Sequence, residues 1–270
     1  MEIVKKFQVR GVPGNVYRAN FDGRLVDFWA TGNPTHILVA HDGQNIFDRK
    51  TATRLTTWQL AQNSIRVFGS HGINPPLIMG IFHSSTKQDP FGRYKDLTPQ
   101  RPFMEGIKPT IKAGFEISDI RSDKYLEVIN TKILPTISQY VGVVHNPQQT
   151  AMLGSSMGGL ATLYGVGQRP DIYGAALAFS PHWVISSNEF INQIIDSLPE
   201  PGSHKLWMSR GTKGLDASYE PFQNHADLQA MSNGWKLGHD FLSKVYPKTS
   251  HNEKSWQSYV ADSLRFWLRD

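Results

Sequence analysis

Residues 150–167 constrain the fold more than any other stretch of the chain. Ala151-Met152-Leu153 is a short apolar run that enters Gly154-Ser155-Ser156-Met157-Gly158-Gly159, after which Leu160, Ala161 and Leu163 follow at helical spacing. An all-apolar strand feeding a helix through so tight a turn suits a parallel sheet, whose strands are covered on both faces. The glycines two residues either side of Ser156 have a mechanical reason. A serine on a sharp strand-to-helix turn sits in strained backbone, and side chains at those places would clash. The turn would hold the Ser156 hydroxyl above the carboxyl edge of the sheet. There the positive end of the following helix favours developing negative charge.

The rest of the chain agrees with such a sheet. Continuous apolar runs at 36–40 and 76–82, and further ones at 175–179, 205–209 and 241–246, read as buried strands. Helical periodicity marks 58–68, 122–140 and 254–268, with Pro135 expected to break or kink the second of these late. Alternating residues at 7–9, 16–21 and 25–29, with turns at Pro13-Gly14 and Asp22-Gly23, read as an opening antiparallel meander. Strands alternating with helices predict one doubly wound α/β domain over 1–270, without linker or repeat. Residues 84–119 are the least regular part, rich in Pro, Gly, Lys and Thr, and read as a long surface excursion.

Composition excludes several chemistries. There is no cysteine, so disulfides, thiolate metal sites and a cysteine nucleophile are ruled out together. No His-Glu-x-x-His or clustered ligand spacing occurs, so no metal is expected, and residues 154–159 lack the G-x-G-x-x-G register, so no dinucleotide cofactor is either. The net charge of +5 is scattered, with Lys5-Lys6 and Arg49-Lys50 the adjacent basic pairs, which argues against nucleic acid. No stretch reaches the roughly 20 apolar residues of a membrane span. The first residues show no apolar leader, so the expected location is cytoplasmic, with a small-molecule ester as partner.

A serine hydroxyl near neutral pH needs a general base, normally a histidine oriented by a carboxylate. Where the serine sits on such a turn, acid and histidine follow it in chain order. His204, His225, His239 and His251 lie well downstream. His251 leaves the last strand through a loop at 246–250 and precedes the final helix, so it can fold over Ser156. His204 precedes its strand, and His225 and His239 lie in polar helical sequence. The acid should follow the strand at 205–209, where Asp216 is the first candidate and Glu220 the second. Asp227 and Asp240 lie further on. Two backbone donors are needed for the oxyanion: Met157 after the serine, and Gln44 in the loop His41-Asp42-Gly43-Gln44-Asn45, where Gly43 is expected to permit the tight backbone.

Together, His41 through Asp48, Gly154 through Gly159, Gly211 through Asp216 and His251-Asn252-Glu253 resemble the putative esterase family. This branch of the α/β-hydrolases includes esterase D-like, enterochelin esterase-like and feruloyl or acetyl-xylan esterase-like enzymes. The resemblance runs from about residue 35 to the C-terminus. It implies an α/β-hydrolase fold: a mostly parallel sheet flanked by helices, with antiparallel strands at the N-terminal edge. It also implies Ser156 as nucleophile, Asp216 as acid, His251 as base, and Gln44 and Met157 around the oxyanion. Trp256 matches an aromatic of the family, expected to pack. Ser180-Pro181-His182-Trp183 resembles a segment that borders the substrate cleft, so Gly43, His182 and Trp183 are the expected substrate contacts. The cysteines and tight substrate loop of a formylglutathione hydrolase are missing. An acyltransferase with the same triad, or a catalytically silent binding protein on the same fold, are the alternative readings. Neither 84–119 nor 180–188 shows an apolar helical face, which points to an open cleft for a short acyl group or a bulky polar partner.

Overall fold

The structure, a computed structural model, describes residues 1–110 and 114–269. Residues 111–113, with Lys112 of the basic excursion, and Asp270 lie outside the described residues. Among the described residues one sheet holds β1 (Glu2–Phe7), β2 (Val16–Phe21), β3 (Arg24–Trp29), β4 (Ile37–Ala40), β5 (Leu77–Ile81), β6 (Thr150–Ser155), β7 (Ala175–Phe179), β8 (Lys205–Lys213) and β9 (Phe241–Ser250). Their spatial order is β1-β2-β3-β5-β4-β6-β7-β8-β9. The pairs from β1 to β5 are antiparallel, and every pair from β5 to β9 is parallel. The helices are α1 (Leu60–Gly69), α2 (Gly92–Leu97), α3 (Gln100–Met104), α4 (Ser122–Val128), α5 (Leu134–Val141), α6 (Met157–Gln168), α7 (Asn188–Asp196), α8 (Glu220–Ser232) and α9 (Glu253–Trp267). The protein therefore has the α/β-hydrolase architecture, antiparallel only at its N-terminal end.

Alternation along the strands divides the core in two. Ile37 and Val39 of β4 join Met152, Ala176 and Met208 beneath Leu160 and Leu163 of α6 and Ile191 of α7. Leu38 and Ala40 face the other way, with Leu153, Leu177 and Trp207, toward Phe68 of α1 and Val260 and Leu264 of α9. Each Val, Leu, Ile, Phe or Met side chain among them stabilises the fold by about 1.5–3 kcal/mol when fully buried. A strand with an apolar layer on both sides has no polar positions to show, which is why these runs are continuous.

Four sequence expectations are corrected. The first strand is Glu2–Phe7 and not 7–9; its residues are exposed except Phe7, so no apolar alternation marks it, and its register with β2 is carried by backbone pairing. The helix does not break at Pro135. Proline lacks the N–H, and the turn before it, Ile129–Ile133, widens to a π-turn so that helical structure runs on into α5. The excursion at 84–119 is partly helical, contributing α2 and α3. The last strand extends through 246–250, where a loop was expected; Pro247 is tolerated because β9 is an edge strand, and Lys248 takes a φ of 65° where the register with β8 shifts.

Candidate active site

Ser156 joins β6 to α6 with φ 58° and ψ −122°, the strained turn the glycine spacing predicts. A Cβ on Gly154 would stand 2.3 Å from the Gly158 carbonyl oxygen, so no other residue fits there without moving the turn. The Phe179 carbonyl accepts from the Ser156 amide at 2.9 Å, and the Ser156 carbonyl accepts from the His182 amide at 3.2 Å. The end of β7 therefore braces the serine.

Asp216 and His251 come together from β8 and β9. Asp216 lies in a 3-10 turn, Gly214–Tyr219, just past β8, which is longer than expected, and it is wholly buried. His251 sits between the end of β9 and Asn252, whose side chain caps α9 by accepting from the Ser255 amide. His251 Nδ1 donates to Asp216 Oδ1 at 2.6 Å. A carboxylate only accepts, so the ring proton belongs on Nδ1 and Nε2 keeps its lone pair. The second oxygen of Asp216 accepts from the Gly211 amide at 2.7 Å and from Ser180 Oγ at 2.9 Å. Trp256 does more than pack. Its Nε1 donates to Ser180 Oγ at 3.1 Å, and its ring meets His251 edge-on at 5.0 Å.

The other titratable candidates stand elsewhere. The Glu220 side chain is 61% exposed and pairs with Arg210 at 3.5 Å. Asp227 accepts from Gln223, and Asp240 from the Lys236 amide. His204 Nε2 donates to the Pro170 carbonyl, His225 bonds Asn192, and His239 is exposed.

The loop after β4 lies against the serine turn: a Cβ on Gly158 would meet the His41 Cβ at 3.2 Å and Asp42 Oδ2 at 3.3 Å. Asp42, and not Gly43, takes the left-handed backbone, with φ 54°. Gly43 is required for another reason, since a Cβ there would fall 2.2 Å from the Gly80 backbone of β5. It is buried by that contact. Gln44 and Met157 are the second and first residues of their helical turns, so neither amide has an acceptor within its turn. Arg93 of α2 grips this loop from above, donating to Asp42 through Nε at 2.8 Å and Nη2 at 2.7 Å. Burial alone would raise the Asp42 carboxyl, and the Arg93 guanidinium overrides it, holding it below the usual range.

His182 and Trp183 part company. Trp183 is a correction: it is wholly buried in the core, its Nε1 donating to Gln223 at 2.9 Å. His182 faces a cavity of about 760 Å³ lined by Phe91, Tyr94, Phe103, Phe115, Ile120 and Ile185 among others. The Thr98 hydroxyl, also on its lining, is buried without a hydrogen-bond partner among the described residues. The apolar lining is a second correction, because the excursion that reads as polar in sequence gathers its aromatics here. Burial holds His182 down at about 4, so the ring is neutral near neutral pH. Its Nδ1 lies 2.6 Å from the Tyr219 hydroxyl. Nothing in the sequence marks Tyr219 or the grip of Arg93 on Asp42, and Ser180 is marked there only as part of a cleft-bordering segment, not as a partner of Asp216. Among the described residues no cluster of His, Asp and Glu could hold a metal ion, and no helix is long and apolar enough to cross a membrane.

The sequence model of the family described as Putative esterase matches residues 116–266. A Bacillus subtilis (strain 168) protein, "Uncharacterized protein YbbA", is 31% identical over 90 residues, 33% of this chain and 35% of that protein. Among solved structures, the enterobactin esterase FES from Shigella flexneri superposes with a TM-score of 0.64 at 13% identity, over 90% of this chain and 55% of that one. A ferulic acid esterase superposes with a TM-score of 0.58 at 14% identity, over 97% of this chain and 96% of that one. The matched part thus spans about a third of YbbA and about half of the enterobactin esterase. At these identities the structural likeness is one of fold.

Proposed function

Because this chain belongs to the Putative esterase family, whose chemistry is ester hydrolysis, we propose that it works as a serine carboxylesterase through an acyl-enzyme on Ser156. One observation carries the reading: a wholly buried Asp216 holds the His251 ring by Nδ1, at the same sheet edge as a serine on a strained turn. His251 Nε2 takes the Ser156 proton as Oγ attacks the ester carbonyl. The backbone amides of Gln44 and Met157 receive the oxyanion, aided by the N-terminus of α6. His251 then gives the proton to the leaving alcohol, and the same groups run the steps in reverse order with water. Asp216 stabilises the imidazolium without being protonated itself.

The substrate reading follows the cavity beside His182. Its aromatic walls suit an ester carrying a flat ring, and the polar His182 edge suits a ring with a hydrogen-bonding substituent. The ferulic acid esterase of the same fold acts, by its name, on an ester of an aromatic acid, which accords with this. The test is Ser156→Ala, with folding checked by circular dichroism and thermal melting. We expect kcat on an activated ester to fall by about three powers of ten or more, leaving the residual rate of binding and oxyanion stabilisation. A folded variant that keeps more than about a tenth of the wild-type kcat would remove Ser156 from the chemistry.

A further inference from the structure

Asp42 stands where an enzyme of this kind has least use for a fixed negative charge. It is 5% exposed, and a Cβ on Gly158 would meet Asp42 Oδ2 at 3.3 Å. Gly158 is the second residue of α6, directly after Met157. The carboxylate therefore packs against the first turn of the helix whose N-terminus is to receive the oxyanion. That helix end carries about half a positive charge. A resident carboxylate offsets it, and a second negative charge forming beside the first is repelled.

The backbone does not call for a carboxylate here. Asp42 takes a φ of 54°, a region that asparagine tolerates as well as aspartate does. The loop is closed by its own backbone, the Asp42 carbonyl accepting from the Asn45 amide at 2.9 Å. What a side-chain amide could not do is accept on two oxygens from one guanidinium, as Asp42 does from Arg93 Nε at 2.8 Å and Nη2 at 2.7 Å. Arg93 Nη2 also reaches the Ser155 carbonyl at 3.5 Å, so the cation lies between the loop and the strand that leads to the serine. Among the described residues Arg93 is the one cation that pairs with Asp42.

We propose that Arg93 is a positioning residue for the oxyanion: it holds and neutralises Asp42, and so leaves the N-terminus of α6 able to take the charge of the tetrahedral intermediate. This rests on the acyl-enzyme reading above. A neutral ester has no charge for Asp42 to repel, whereas the intermediate carries a full one on its oxygen. Arg93 therefore lowers the energy of the transition state and not that of the bound ester. Acylation and deacylation both pass through such an oxyanion, so its loss slows both, and shows in kcat with KM held.

Kinetics on p-nitrophenyl acetate, with folding checked by circular dichroism, test this. Arg93→Met should lower kcat by about thirtyfold, the effect of an uncompensated charge several ångströms from a developing one, and change KM by less than about twofold. Adding Asp42→Asn should bring kcat back to within about threefold of wild type, because the charge and its counter-charge are then gone together. A residue that only fastened α2 to the loop would give the opposite result, since the double variant restores no grip. A double variant as slow as Arg93→Met overturns the proposal, and so does a folded Arg93→Met with wild-type kcat. Arg93→Lys keeps the charge without the paired bonds and should cost less than about fivefold; a loss equal to that of Arg93→Met would mark grip in place of charge and overturn the proposal too. Affinity for phenyl trifluoromethyl ketone, which Ser156 would convert to a hemiketal oxyanion, should fall in Arg93→Met by the same factor as kcat, and unchanged affinity counts against the proposal. If Arg93→Met does not fold, the double variant decides: kcat within about threefold of wild type supports the proposal, and a thirtyfold loss overturns it. Failure of the underlying reading is seen separately, as turnover by Ser156→Ala.

Discussion

His41 shows how one buried side chain ties the loop after β4 to the protein's response to acid. It is 2% exposed, its Nδ1 bonds the Tyr125 hydroxyl at 2.8 Å, and its Nε2 has no partner among the described residues. Burial lowers it from 6.5 to about 4. Between those values the unfolded chain binds a proton that the folded one refuses, so this stabilisation is full above the upper value and drains away as pH falls through the lower. Denaturant melts at about pH 7 and about pH 4.5 should show a loss to which His41 contributes up to about 3 kcal/mol. His41→Gln should flatten that slope, and an unchanged slope would mean that His41 titrates normally in the fold. At this scale Ser156, Asp216 and His251 are legible in sequence because motif, chain order and strand ends fix them. Ser180 and Tyr219 are not. Each acts across two elements, and neither stands in a motif that names its partner.

Between elements, the contact that matters most to the site is α2 on the loop after β4. Arg93 holds Asp42 by two bonds and also reaches the Ser155 carbonyl at 3.5 Å, so one side chain of the excursion touches both walls of the proposed oxyanion site. Removing it leaves a carboxylate that is 5% exposed without its counter-charge. Arg93→Met should therefore cost about 3 kcal/mol in denaturant melts and lower kcat, and Asp42→Asn in the same chain should recover part of the stability. Melts of Arg93→Met that match wild type would show the pair to be dispensable. The sequence shows the central strands plainly, since two-faced burial leaves unbroken apolar runs. It hides β1, which buries only part of Phe7, and α2 and α3, which are too short for a period to emerge. Pro135 misleads because the chain absorbs its missing N–H by widening one turn.

Across the whole molecule, a sheet that runs parallel from β5 to β9 brings the ends of β4, β6, β7, β8 and β9 to one edge, and every proposed catalytic group lies there. The excursion adds the cavity. Phe91, Phe103 and Phe115 are far apart in helical phase and converge only once the chain is folded, which is why 84–119 reads as a polar rim. Methyl cinnamate should accordingly be cleaved with a higher kcat/KM than methyl decanoate, and Phe91→Ala should raise KM for the cinnamate about tenfold, the loss of one aromatic wall. A kcat/KM that climbs steadily with linear chain length would mark a tunnel instead. The central claim is the covalent intermediate on Ser156, and intact-mass spectrometry after treatment with a fluorophosphonate tests it most directly. One adduct per chain, mapped to the peptide that carries Ser156 and absent from Ser156→Ala, is the predicted result. A protein that turns over esters yet takes no label, or takes it at another residue, would contradict the account.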